Sequence, residues 1–157
     1  MAIDAIRDDI SAVLADVGDI GRVYDYQRWA NTWDAFLDLF KAETKGNPVI
    51  RGWMIEYRGF PDEVTDPQLG VVPGVREHEF AILGYMGHDD ATITDKDAAN
   101  LAETVCNALD ADATLHDGAT WVYASPARVA VFELRKFSGV LAHHAEIGIK
   151  VTEFVSN

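Results

Sequence analysis

Apolar residues recur at three- and four-residue steps from Ile3 to Val17, and charged residues occupy the positions between them. This spacing predicts an amphipathic helix from about residue 2 to 17 that ends at Gly18. The β-branched and aromatic side chains of residues 20–26 then predict a short extended segment.

The second predicted helix is the most strongly marked element, because a wide stripe of its surface is aromatic. The stripe consists of Trp29, Trp33, Phe36, Leu37 and Phe40. Each aromatic side chain can bury roughly 150–250 Å², so this face must pack against another surface. A sheet of the same chain is the ordinary partner, and a neighbouring subunit is the alternative. The helix is predicted to break at residues 45–48, which contain a glycine and a proline.

Two strands are predicted in the middle of the chain. In residues 49–58, Trp53 and Ile55 alternate with Met54 and Glu56, which is typical of a strand with one buried face. Residues 77–87 are more uniformly apolar, which predicts a strand at the centre of a sheet.

Between these strands, residues 59–76 lose all periodicity and contain several prolines and glycines. Asp62, Glu63 and Asp66 make the first half of this stretch acidic. Loops of this length are uncommon in compact domains and usually carry function. We interpret this stretch as a contact loop.

A third helix is predicted to begin at a capping Thr94 and to bury Ala98, Leu101, Ala102, Val105 and Leu109. Strands are then predicted near residues 121–123, at residues 128–137, and after a turn at Ser138-Gly139. In the last strand His143 and Ile147 share an apolar face, and His144 and Glu146 share the other.

This order of elements predicts a single α+β domain over residues 1–157. A mixed, largely antiparallel sheet is packed with three helices in an α/β two-layer arrangement, because strand pairs without helical crossovers must run antiparallel. The chain of 157 residues, 48% of them hydrophobic, is long enough to form an independent core.

The net charge of −13 narrows the range of partners. Such a surface repels the phosphates of DNA and of anionic membranes, so direct binding to either is not expected. An acidic surface that DNA passes without binding is still physically possible. The alternative explanation of the negative charge is that it keeps the protein soluble.

The single cysteine, Cys106, excludes an intrachain disulfide and a cysteine-rich zinc site, and its helical spacing predicts a core position. The sequence shows no secretory signal and no apolar run that could span a membrane. We expect a soluble protein that is synthesised in a cytoplasm.

The five histidines are the first candidates for chemistry. His143 is predicted to be a hydrogen-bonded core or interface residue, and His144 can form an ion pair with Glu146 on the same face. His88 precedes Asp89 and Asp90 in an acidic cluster, which we interpret as structural. His78 and His116 are expected in a loop or at a strand edge, with no recognisable partner.

Motifs for a nucleophile or a phosphate-binding loop are missing from the sequence. With so many acidic residues, a catalytic pair of carboxylates stays open as an alternative, although no particular pair stands out in the sequence. The sequence therefore predicts a protein that is not an enzyme, with no cofactor and no metal.

Two stretches together carry a family resemblance. One is Asp19-Ile20-Gly21-Arg22-Val23-Tyr24-Asp25-Tyr26-Gln27-Arg28-Trp29, which leads into the aromatic stripe. The other is Arg135-Lys136-Phe137-Ser138-Gly139-Val140-Leu141-Ala142-His143-His144-Ala145-Glu146-Ile147. In a small acidic α/β chain, this combination resembles the tail terminator (tail completion, head–tail joining) proteins of long-tailed bacteriophages and prophages.

The resemblance implies a structural virion protein located in the tail or neck. Proteins of that family form a ring, often a hexamer, that caps the tail tube and receives the head. The implied partners are copies of the chain itself, the tail tube protein and a neck or head-completion protein. DNA would pass through the ring without sequence-specific binding. The candidate interface residues are Tyr24, Tyr26, Trp29, Asp62, Glu63, Asp66, Phe137, His144 and Glu146.

Two other classes of function stay open at this point. One is a small acidic binding module or inhibitor that docks on a host protein. The other is a small enzyme that uses a carboxylate and histidine cluster, for which His88, Asp89 and Asp90 are the candidates.

Overall fold

The computed structural model describes residues 2–28, 30–44, 47–59, 75–88, 94–112, 122–124, 126–137 and 140–154. Within these ranges the chain forms three helices and seven strands. In order, they are α1 (Ala2–Ala15), β1 (Arg22–Tyr24), α2 (Trp33–Phe40), β2 (Lys41–Thr44), β3 (Asn47–Gly59), β4 (Val75–Gly87), α3 (Thr94–Ala111), β5 (Val122–Ala124), β6 (Arg128–Phe137) and β7 (Val140–Phe154).

The strands form one mixed, mostly antiparallel sheet, which confirms the predicted α+β class. Their order across the sheet is β1-β3-β4-β7-β5, with β2 alongside β3 and β6 alongside β7. Only the pairing of β1 with β3 is parallel among the described strands. The predicted central strand is confirmed, because β4 lies between β3 and β7.

The main core lies between one face of the sheet and the helices α1 and α3. Side chains of alternate strand residues point into this core, among them Ile55, Ile82 and Ile147, which are fully buried. The face predicted for α3 is buried apart from Leu101, which is partly exposed, and Cys106 joins it as a free buried thiol.

The opposite face of the sheet carries α2 over a smaller apolar cluster. Phe40 is fully buried there against Met54, Ala81 and Leu83. The ring of Phe40 occupies the space that a Cβ atom would fill at Gly52, so the absence of a side chain at that position allows the helix to approach the sheet.

The helix α2 begins later and ends earlier than the sequence predicts. It begins after Thr32, whose side-chain oxygen accepts a hydrogen bond from the backbone N–H of Ala35 at 3.2 Å. It ends at Phe40, because Lys41 is already extended and starts β2, a strand that the periodicity did not reveal. Residues 47 and 48, predicted as part of a helix break, instead begin β3.

Two predicted features lie outside the described residues. These are most of the long loop at residues 59–76 and the turn at Ser138-Gly139. None of the helices that the structure describes is long and apolar enough to cross a membrane.

A substitution at Gly84 tests how tightly the main core is packed. A Cβ atom there would collide with the indole ring of Trp53, which is buried and held by its Nε1–H bond to the carbonyl oxygen of Ile20 at 3.1 Å. We therefore expect Gly84→Ala to lower the free energy of unfolding by about 1–3 kcal/mol in urea denaturation.

Gly148→Ala is the matched control, because Gly148 also lies in a central strand and an added Cβ atom would meet no atom within 4 Å. Equal effects of the two substitutions would contradict the packing described for Trp53.

Candidate functional site

One end of the sheet exposes a cluster of two tyrosines and an arginine, which we call the β1 edge (Tyr24, Tyr26 and Arg28). The hydroxyl of Tyr24 donates a hydrogen bond to the carbonyl oxygen of Leu39 at 2.6 Å, which fixes this ring against α2. The guanidinium carbon of Arg28 lies 4.9 Å from the ring centroid of Tyr24 and 5.4 Å from that of Tyr26. Tyr26 is 49% exposed. Tyrosine and arginine are enriched where binding energy concentrates in interfaces.

The opposite end of the sheet exposes aliphatic and aromatic side chains, which we call the β6 edge. β6 pairs with β7 on one side, and none of the described strands pairs with its other side. The exposed fractions are 42% for Val129, 38% for Phe132, 48% for Leu134 and 37% for Leu141. These four side chains lie on the face of the sheet that carries α1 and α3. Val129 and Phe132 lie opposite Ile147 and Ala145, which belong to the main core, and the alternation of each strand places Leu134 and Leu141 on the same face.

The β6 edge also differs in charge from the helices. The exposed acids of α3 are Asp95, Asp97, Glu103 and Asp110, beside a single exposed lysine in that helix. β6 instead contains Arg128, Arg135 and Lys136 against one acid, Glu133. The edge strand is therefore locally basic in a chain whose net charge is −13.

His144 lies inside the fold rather than on its surface. Its Nδ1–H donates to the carbonyl oxygen of Gly84 at 3.1 Å, and its ring lies 4.7 Å from that of Tyr85 between centroids. Burial is the main cause that lowers the pKa of this imidazole, and the nearby positive charge of Arg135 adds to the effect.

Glu146 pairs with Arg58 rather than with His144, which corrects the ion pair considered from the sequence. The Nη1 group of Arg58 donates to Oε1 of Glu146 at 2.6 Å across the face that carries α2. The roles of His144 and Glu146 in an interface stay predictions.

Of the other candidate interface residues, only Phe137 lies within the described residues. Trp29, Asp62, Glu63 and Asp66 lie outside the described residues, as do Asp89, Asp90 and His116. Phe137 is the last residue of β6, at the end of the β6 edge.

The predicted hydrogen-bonded position of His143 is confirmed. This buried ring has its Nε2 2.9 Å from the hydroxyl oxygen of Thr94 and 3.2 Å from Nδ1 of His88. Burial is again the largest cause that lowers its pKa, followed by the charge of His88. His143 thus links β7 to the start of α3.

The expectation that His78 lies in a loop or at a strand edge without a partner is wrong. His78 is buried in β4, and its Nε2–H donates to Oε2 of Glu153 at 2.7 Å. The hydroxyl of Tyr57 lies 3.3 Å from Nδ1 of the same ring. The available signal was alternation with Phe80, which places His78 on the apolar face of its strand.

Within the part of the chain that the structure describes, no three His, Cys, Asp or Glu side chains come together in a group that could hold a metal ion. A scan against protein-family models finds no match for the chain, and a search of curated proteins finds no significant match.

The contact between His78 and Glu153 is expected to stabilise the fold. Glu153→Ala removes the acceptor from a buried ring nitrogen, so we expect the free energy of unfolding to fall by about 1–3 kcal/mol in urea. Glu153→Gln keeps an acceptor oxygen and should cost less. Glu103→Ala, on the exposed side of α3, is the control and should change stability little. A Glu153→Ala variant as stable as this control would contradict a structural role.

The buried imidazoles of His143 and His144 should also make stability depend on pH. Both have a pKa below the ordinary value in the folded protein. The unfolded chain, with a pKa of about 6.5, therefore binds protons that the folded chain does not.

The free energy of unfolding should consequently fall as the pH decreases below about 6.5, and it should be insensitive to these two groups above about pH 7.5. Urea denaturation at both ends of this range measures the loss. His144→Gln should show a smaller loss than the unaltered protein, and an identical loss would contradict the role of burial.

Proposed function

We propose that this chain is a structural assembly protein that forms a ring and acts as a bacteriophage tail terminator. In this role it caps the tail tube and joins it to the head or neck, without catalysis. The observation that carries the proposal is the presence of two chemically different exposed surfaces at opposite ends of one sheet, the β1 edge and the β6 edge.

Two different surfaces at opposite ends of a subunit are what a ring requires. A ring closes when one patch of each copy contacts a different patch of the next copy, repeated at a constant rotation. The β1 edge offers tyrosines and an arginine, and the β6 edge offers apolar side chains beside backbone groups with which no described strand pairs. Such groups suit contacts between subunits.

The charge distribution supports a path for DNA through such a ring. Acidic residues dominate the exposed sides of α1 and α3, with Asp4 and Asp8 on the first of these helices and Asp16 directly after it. A wall with this charge repels phosphates and therefore lets DNA pass with little adhesion. The implied partners are copies of the chain, the tail tube protein and a neck or head-completion protein, and the implied location is the virion.

Tube assembly in vitro tests the proposal directly. Tail tube protein encoded in the same genome is allowed to polymerise with and without this chain, and tube lengths and tube ends are measured by negative-stain electron microscopy. We expect shorter tubes with a ring at one end. Unchanged tube lengths and bare ends at saturating concentrations would contradict the proposed function.

A surface variant makes the test specific to the β1 edge. Tyr26→Ala removes an exposed ring without disturbing the core, and we expect about a tenfold lower yield of capped tubes, in line with truncation of a residue that anchors an interface. Glu103→Ala is the control and should cap normally. Equal capping by the two variants would remove the β1 edge from the proposed ring contact.

A further inference from the structure

The outer side of β6 presents the backbone groups of alternate residues, and the hydrogen-bond pattern identifies them. The N–H of His88 donates to the carbonyl oxygen of Leu141 at 3.1 Å, so the backbone groups of Leu141 face β4. Backbone direction alternates along a strand, and the even-numbered residues of β7 therefore face β6. In β6, Glu133 lies opposite His144 and Arg135 lies opposite Ala142, so the backbone groups of Glu133 and Arg135 face β7. The N–H and C=O groups of Phe132, Leu134 and Lys136 consequently point away from the sheet.

We propose that two copies of this chain pair through β6 in antiparallel orientation, with Leu134 of each copy on the two-fold axis. In this register Phe132 lies opposite the second copy's Lys136, and Glu133 lies opposite the second copy's Arg135. The outward backbone groups of Phe132, Leu134 and Lys136 in each copy find partners in the other copy. The sheet then continues across the two molecules.

Charge complementarity selects this register among the neighbouring ones. With Leu134 on the axis, each Glu133 meets an Arg135, and these residues already form an ion pair along one strand. An axis at Glu133 would set two carboxylates directly opposite each other, and an axis at Arg135 would set two guanidinium groups opposite each other. Like charges in such positions are destabilising. An axis at Phe132 would run into the irregularity between Val129 and Val131.

Burial of exposed apolar area favours the same arrangement. Leu134 is more exposed than Val129 and Phe132 on the same strand, and in the pair it would pack against its own copy. The Phe132 ring would receive the second copy's Lys136 over its face, a favourable contact for a cation. A contact through a single strand is small, so we expect a dissociation constant on the order of micromolar.

The pairing rests on β6 alone and goes beyond the proposed function. A two-fold contact closes on itself, whereas a ring needs a contact between different surfaces. A copy paired in this way cannot offer its β6 edge to a neighbour in a ring, so a dimer would have to dissociate before the ring could use that edge.

A cysteine on the proposed axis provides the sharpest test. Only a residue on a two-fold axis meets its own copy, and the Cα separation of about 5.5 Å in a hydrogen-bonded antiparallel pair suits a disulfide. We expect Leu134→Cys to give a disulfide-linked dimer under mild oxidation. Val129→Cys, an exposed position on the same strand and the same face, should cross-link at least about tenfold more slowly, because it lies away from the axis. The native Cys106 is buried and its thiol pKa is raised by burial, so it should not compete.

A charge exchange tests the register without a cysteine. Arg135→Glu places like charges opposite each other, and we expect it to weaken the dimer at least about tenfold in sedimentation analysis. The double variant Glu133→Arg, Arg135→Glu restores opposite charges and should recover the dimer.

Three outcomes would overturn the pairing: equal cross-linking at positions 129 and 134, a double variant as weak as the single one, or a monomer at about 1 mM. Equal cross-linking would instead indicate a different surface against β6. None of these measurements requires a tail tube, so failure of the pairing leaves the tube-capping test unaffected, and failure of tube capping leaves the pairing unaffected.

Discussion

The pairing of β4 with β7 is the constraint on which the remaining structure depends. The two strands pair without interruption from Val75 opposite Phe154 to Gly87 opposite Ala142. Because opposite residues share a face, this register assembles Ile82 and Ile147 into the main core and leaves the even-numbered residues of β7, such as Glu146 and Lys150, on the other face. A shift by one residue would exchange the two faces, so the apolar pattern of both strands specifies the register.

Much of the fold could be predicted from the sequence, because its periodic segments agree with their environments. The helix α1, the buried face of α3, the ends of β6 and the alternation of β7 all followed from spacing. The beginning of α2 did not, because its aromatic stripe extends as far back as Trp29 while the Thr32 cap sets the first turn. The strand β2 was missed because it forms only by pairing with β3.

The surfaces of the candidate site were harder to predict than the fold, since an edge is a property of topology. Residues 128–137 have the apolar content of a buried strand. Nothing in their own sequence indicates that β6 pairs with only one of the described strands. The buried contact of His78 with Glu153 joins residues far apart in the sequence, so no local motif indicates it. Tyr24 and Tyr26 were among the candidate interface residues of the sequence, whereas their shared contact with Arg28 follows only from the fold.

The position of β7 along the chain has a consequence for synthesis. β4 emerges from the ribosome well before β7, with α3, β5 and β6 translated between them. Until β7 is synthesised, one side of β4 lacks its pairing strand and much of the sheet face under α1 is exposed. An unpaired apolar strand can associate with other nascent chains. Closure of the sheet must therefore wait for the last strand, and contacts so distant in sequence favour slow folding.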